Sequence, residues 1–167
     1  MSIKISLKKS IFKKTSSNLV LFVDDKFNIK PLKKYMSNTE FLYISDLIRT
    51  SDLKKKLLVF ELTSKKKIFL ISIKKNIRSS EIENLGAEFY GRITYGKNSE
   101  YYINSESVVS NHKNFISHFL HGLKLKSYDF KKYKSKKENR SFVINVLGKK
   151  NNSLSTDQLK FKALNFS

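Results

Sequence analysis

The chain has 167 residues, 40% of them hydrophobic and 13% aromatic, with 34 basic against 14 acidic side chains and a formal charge of +20. Those proportions suit one folded domain spanning 1–167, able to hide about two thirds of its unfolded surface, and exclude wholesale disorder. The absence of cysteine excludes disulfides, thiolate catalysis and cysteine-based zinc sites.

Met1 to Lys14 alternates apolar residues with lysine, which is not the pattern of a signal peptide. Within it, Ile3 to Leu7 predicts a strand at a sheet edge. Leu19-Val20-Leu21-Phe22-Val23, closed by Asp24-Asp25, reads as a strand buried on both faces. Pro31, the single proline, opens a short helix over Lys30 to Met36. Thr39 is the expected N-cap of a helix from Glu40 to Arg49, where Phe41, Ile44, Leu47 and Ile48 recur at helical spacing. Leu57 to Leu62 and Ile68 to Ile73 are strand runs joined by Thr63-Ser64-Lys65-Lys66-Lys67, which predicts a hairpin. Both runs are far too short to span a bilayer, so no membrane association and a cytoplasmic location are expected.

Ser80-Glu81-Ile82-Glu83 fits a capping box and opens a helix with Ile82, Leu85 and Phe89 on one stripe, fading near Gly91. A short strand at Tyr101 to Ile103 follows. The clearest helix is Asn111 to Lys124, with Ile116, Phe119, Leu120 and Leu123 in one narrow sector. Ser141 to Leu147 is a late strand ended by Gly148, and Ser155 or Thr156 caps a last helix from Asp157 to Ser167. Mixed strands and helices, with several strands apolar on both faces, predict an α/β fold: a sheet covered by helices on both sides. The hairpin makes that sheet mixed. Strand order does not follow from the pattern.

The search for chemistry yields no catalytic, cofactor-binding or metal-ligating residue. His118 and His121 lie three apart on the polar side of the long helix, without a helical carboxylate beside them to complete a ligand set, so they read as surface histidines. His112 reads as a half-buried residue at the helix start. Asp24-Asp25 follows a buried strand, a place where α/β enzymes keep carboxylates, but no partner group accompanies the pair and it reads as a strand-ending turn. Gly86, Gly91, Gly96, Gly122 and Gly148 form no glycine-rich loop, so neither a dinucleotide fingerprint nor a P-loop is present. There is no nucleophile elbow and no His-Glu-x-x-His.

The charge admits two explanations. Of the basic residues 30 are lysine and four are arginine (Arg49, Arg78, Arg92 and Arg140), while alanine and proline are scarce. That slant fits A/T-rich codon usage better than nucleic-acid recognition, for which arginine is preferred. The densest segment holds seven lysines, Lys124, Lys126, Lys131, Lys132, Lys134, Lys136 and Lys137, interleaved with Tyr128, Phe130 and Tyr133. Lysines that neutralise phosphates and aromatics that stack on bases would make it a nucleic-acid contact. Aromatics packed under the domain, with solvated lysines above them, are the structural alternative.

Within that segment, Gly122, Leu125, Tyr128, Phe130, Tyr133, Lys134 and Lys136 resemble the end of the amino-terminal domain of cytosol (leucyl) aminopeptidases, where a helix carries Gly-x-x-Leu-x-x-Tyr-x-Phe before a Tyr-Lys-x-Lys-like stretch. Upstream, Glu83-Asn84-Leu85-Gly86-Ala87-Glu88-Phe89-Tyr90 is similar to the family's helix with a Leu-Gly-Gly/Ala step. The resemblance is specific at Gly122 to Lys137 and loose before about residue 55. It implies a macro-like α/β/α fold. It implies that the two divalent metals (zinc or manganese) and the catalytic groups lie in a separate carboxy-terminal domain, whose Asn-Thr-Asp-Ala-Glu-Gly-Arg motif is not found here. The expected role is a domain that caps the catalytic domain and contributes to a homo-oligomer, a hexamer. One departure stands out: Lys74-Lys75-Asn76 occupies the place after Ile73 where family members carry glycines. It also weakens a macro-type nucleotide-binding reading.

Overall fold

A computed structural model describes residues 2–8, 18–93, 99–110, 112–133 and 141–148. The last helix expected from Asp157, Gly96, and Lys134, Lys136 and Lys137 of the basic segment lie outside these residues. The described elements are β1 (Ser2–Lys8), β2 (Asn18–Asp24), a 3-10 turn (Lys30–Tyr35), α1 (Asn38–Thr50), β3 (Leu57–Glu61), β4 (Lys67–Ile73), α2 (Ser79–Ile93), β5 (Ser99–Asn104), a second 3-10 turn (Ser105–Ser107), α3 (Phe115–Tyr133) and β6 (Ser141–Leu147). Among the described residues no helix is long and apolar enough to cross a membrane.

The sheet runs β1-β6-β5-β2-β4-β3. Only β3 is antiparallel to its neighbour, through the hairpin that pairs Leu57 with Ile71 and Glu61 with Lys67; the other pairings are parallel. The continuous apolar runs belong to the central strands. In β2, Leu19, Leu21 and Val23 point to one core and Val20 and Phe22 to the other. In β4, Ile68 and Leu70 share the first core while Phe69, Ile71 and Ile73 join the second. The first core is closed by Leu32 and Tyr35 of the 3-10 turn and by Ile44 of α1. The second is closed by α2 and α3. This is the three-layer α/β/α arrangement, with the mixed sheet that the sequence predicts.

Three helix boundaries differ from expectation. Helix α1 is capped by Ser37, not Thr39: Ser37 Oγ accepts from Glu40 N–H at 3.1 Å and Ser37 N–H donates to Glu40 Oε1 at 3.2 Å. Ser37 is extended while Thr39 is already helical, so only Ser37 can close the reciprocal box with Glu40. Glu40 Oε2 also meets Lys66 Nζ at 2.9 Å, tying the start of α1 to the hairpin loop. In α2 the expected box at Ser80 and Glu83 gives way. The helix begins at Ser79, and the Glu83 carboxylate is drawn across to α3. Helix α3 starts later and runs further than 111–124, because Phe115 joins the buried stripe and Ser127 is buried one turn past Leu123.

Helices α2 and α3 meet backbone to backbone. A Cβ on Gly122 would collide with the Glu83 carbonyl, and one on Gly86 with the Phe119 carbonyl. Each helix thus offers its one inward glycine to the other's main chain, which lets the pair approach more closely than side chains permit. Below this crossing the aromatic rings interlock with the sheet. Phe22 lies edge-on to Phe115 and Phe119 at 5.1 and 5.4 Å, and Phe69 edge-on to Phe89 at 5.3 Å.

Replacing Gly86 or Gly122 by alanine forces the helices apart and is expected to cost about 1–3 kcal/mol. Gly91→Ala, whose Cβ has nothing within 4 Å, is expected to stabilise by up to about 1 kcal/mol. Urea unfolding midpoints of the three variants check this; equal effects at all three positions would contradict the close crossing.

Candidate functional site

All three histidines of the chain gather where α2 and α3 begin to pack. His112, in the turn before α3, accepts from Asn114 N–H at Nδ1 at 3.2 Å. Its neutral ring therefore carries the proton on Nε2, which lies 3.0 Å from Ser79 Oγ and donates to it. His112 and His118 stack edge to face at 5.1 Å. His118 and His121 both direct Nδ1 at one carboxylate oxygen, Glu83 Oε1, at 3.4 and 3.1 Å. The carboxylate missing beside them in sequence is thus supplied by the neighbouring helix. These are half-buried groups in an interhelical network, not the solvated surface residues that their spacing suggested.

Partial burial alone would raise the Glu83 carboxyl. Hydrogen bonds from His121 and His118, with their positive charge, outweigh it and hold the group below its usual 4.5. Among the described residues, no three histidine, aspartate or glutamate side chains converge as a metal ligand set. The arrangement is a latch. The Glu83 main chain receives Gly122, and the Glu83 side chain holds the histidines on either side of Phe119.

The second region is the carboxyl end of the sheet. Helix connections leave β2 and β5 towards opposite faces, and the crevice between such strands is where open α/β sheets bind ligands. Here the Ser105–Ser107 turn fills it. Ser107 Oγ accepts from Phe22 N–H at 3.0 Å and donates to the Asn104 carbonyl at 2.7 Å. Ser105 Oγ donates to the Leu147 carbonyl of β6 at 2.6 Å. Gly148, at φ +140°, passes so close that a Cβ would strike Ser105 Oγ. Asp24 serves its own turn, accepting from Lys26 and Asn28 N–H at 3.1 and 2.9 Å. Asp25 instead lines a recess of about 160 Å³ on the β4 side of this crevice, together with Lys54, Lys55, Lys56, Ser72 and Lys74.

The basic segment is helical through Tyr133. Leu125 and Tyr128 are 48% and 40% exposed and stand beside Lys124 and Lys126, while Ser127 between them is buried. Tyr128 therefore does not pack beneath the domain, as the structural alternative for the segment's aromatics required.

The latch makes stability depend on pH. Because the Glu83 carboxyl is depressed in the folded state, its contribution is complete above the ordinary glutamate value of 4.5 and is lost as pH falls through the lower folded value. Denaturant unfolding across pH 7 to 3 should show Glu83→Gln less stable at pH 7 by about 1 kcal/mol or less, with the gap closing at the acid end. A gap that does not change with pH would argue against the latch.

No protein-family model and no curated protein matches the sequence. Solved structures do. A tomato leucine aminopeptidase point mutant superposes with a TM-score of 0.67 at 14% identity, covering 88% of this chain and 32% of that one. The chain thus spans about a third of the enzyme's length. The macrodomain of Thermus aquaticus DarG superposes with a TM-score of 0.50 at 11% identity, covering 86% of this chain and 99% of that domain. At these identities the likeness is one of fold: the chain has an α/β macrodomain-like fold, and it is similar in structure to part of a leucine aminopeptidase.

Proposed function

We propose that the chain is the non-catalytic amino-terminal domain of a leucyl aminopeptidase-type metalloexopeptidase, with a role in capping a catalytic domain and in homo-oligomer assembly. The fold likeness to the tomato enzyme over 88% of this chain carries the reading. The places of Gly86 and Gly122 support it. Gly122 and Gly86, two of the residues that carry the sequence resemblance, sit at a helix crossing that requires glycine. The two zinc or manganese ions of such an enzyme, and its catalytic groups, would be held by residues outside this chain.

Purified chain is expected to show no leucine-anilide hydrolysis with added manganese or zinc, and to associate stoichiometrically with an aminopeptidase catalytic domain lacking its own amino-terminal partner. Light scattering and an anilide assay test both. Metal-dependent turnover by the chain alone, or no association, would sink the proposal.

A second reading, a basic nucleic-acid-binding module, draws on the exposed pair Leu125 and Tyr128 beside Lys124 and Lys126. It requires duplex DNA binding that falls steeply with salt and weakens when Lys131, Lys132, Lys134 and Lys136 become glutamate. No binding at low salt removes it.

A further inference from the structure

We propose that the recess beside the carboxyl ends of β2 and β4 is a binding site for a small phosphate monoester. It is separate from the crevice that Ser105–Ser107 fill, and it does not depend on the aminopeptidase reading.

Charge is the first observation. Lys54, Lys55, Lys56 and Lys74 line the recess, against the carboxylates of Asp25 and Glu81. Glu81 is already engaged by Arg78, whose Nε lies 3.1 Å from its Oε1, and Lys74 acts on Glu81 only through space. Among the described residues none of the four lysines forms an ion pair. The lining thus holds an excess of two positive charges, which a phosphate monoester carrying about −1.5 to −2 near neutral pH would balance. A carboxylate would balance only half of it.

The second observation is shape. The volume of about 160 Å³ is close to that of a cavity known to accept benzene, roughly 150 Å³. Leu53, Ile77 and Leu85 give the recess an apolar wall, and the Ser72 hydroxyl at its border already donates to the Asp24 carbonyl at 3.4 Å. A phosphate on an aromatic or similarly compact body therefore matches both halves of the lining.

The third observation is that the lysines are set on held backbone. Asp52 Oδ1 accepts from Lys54 N–H at 3.1 Å, and the Asp52 carbonyl accepts from Lys55 N–H at 3.2 Å. The Lys56 carbonyl accepts from Ser72 N–H at 2.8 Å, fastening the loop to β4. Lys74 follows β4 directly, at the place where the sequence departs from the family's glycines. Lysine side chains supply point charges to phosphate, and here four of them start from fixed positions around one opening.

The test is a titration of the full chain, labelled at isoleucine and leucine methyl groups, with phenyl phosphate and, separately, with benzoate. Phenyl phosphate should shift the Ile77 and Leu85 methyls saturably and more tightly than benzoate. Lys56→Gln combined with Lys74→Gln should weaken it about tenfold or more, whereas Lys33→Gln with Lys34→Gln, on the 3-10 turn before α1, should leave it unchanged. Three outcomes overturn the proposal: no saturable shift at Ile77 and Leu85, benzoate binding as tightly as phenyl phosphate, or equal weakening by the two pairs of variants. The last would mean attraction to the net charge rather than to a site.

Discussion

The contact between α2 and α3 at Gly86 and Gly122 decides how the rest of this molecule is arranged. Two helices that touch through their main chains form a thin, rigid layer. That layer brings Phe89 and Phe119 down onto the sheet together, with their rings 5.7 Å apart. Both Phe22 of β2 and Phe69 of β4 are then met edge-on by rings from above. The geometry is over-determined: glycine allows the approach, aromatic packing rewards it, and the Glu83 latch fixes the sliding register of one helix on the other.

Much of the architecture is legible in the residues. The apolar run Leu19 to Val23 reads as a strand buried on both faces and is one, and the lysine loop between Leu62 and Ile68 reads as a hairpin and is one. What the linear pattern hides is everything fixed by a partner distant in sequence. Glu83 lies 35 residues from His118 and looks like a local capping residue until the helices are side by side. Gly86 and Gly122 stand in the sequence as marks of a family resemblance, with no local reason for a glycine inside a helix; the physical reason is the other helix. The overlooked cap at Ser37 is a different matter. Its signal, Ser-x-x-Glu into Glu40, was present, but Thr39 stood nearer to the apolar stripe.

The carboxyl end of the sheet shows why fold and function separate. A macrodomain-like topology brings β2 and β5 side by side with their connections diverging, and this chain fills the resulting gap with its own serine turn, hydrogen-bonded to Phe22 and Leu147. The recess beside it is bordered by a loop and by β4, which Lys56 and Ser72 join through a backbone hydrogen bond.

Among the described residues strand β3 ends the sheet on one side, and it is five residues long. Lys54, Lys55 and Lys56 precede it, and Lys65, Lys66 and Lys67 follow on the hairpin's return. An unpaired strand edge is a template for a second copy of the same chain. Lys66 and Lys67 are paired with Glu40 and Glu61, but Lys54, Lys55, Lys56 and Lys65 remain exposed at the two ends of the strand, so two such edges would meet with like charges opposed. Like charge at both ends of a short edge strand opposes the pairing that would extend one molecule's sheet with another's.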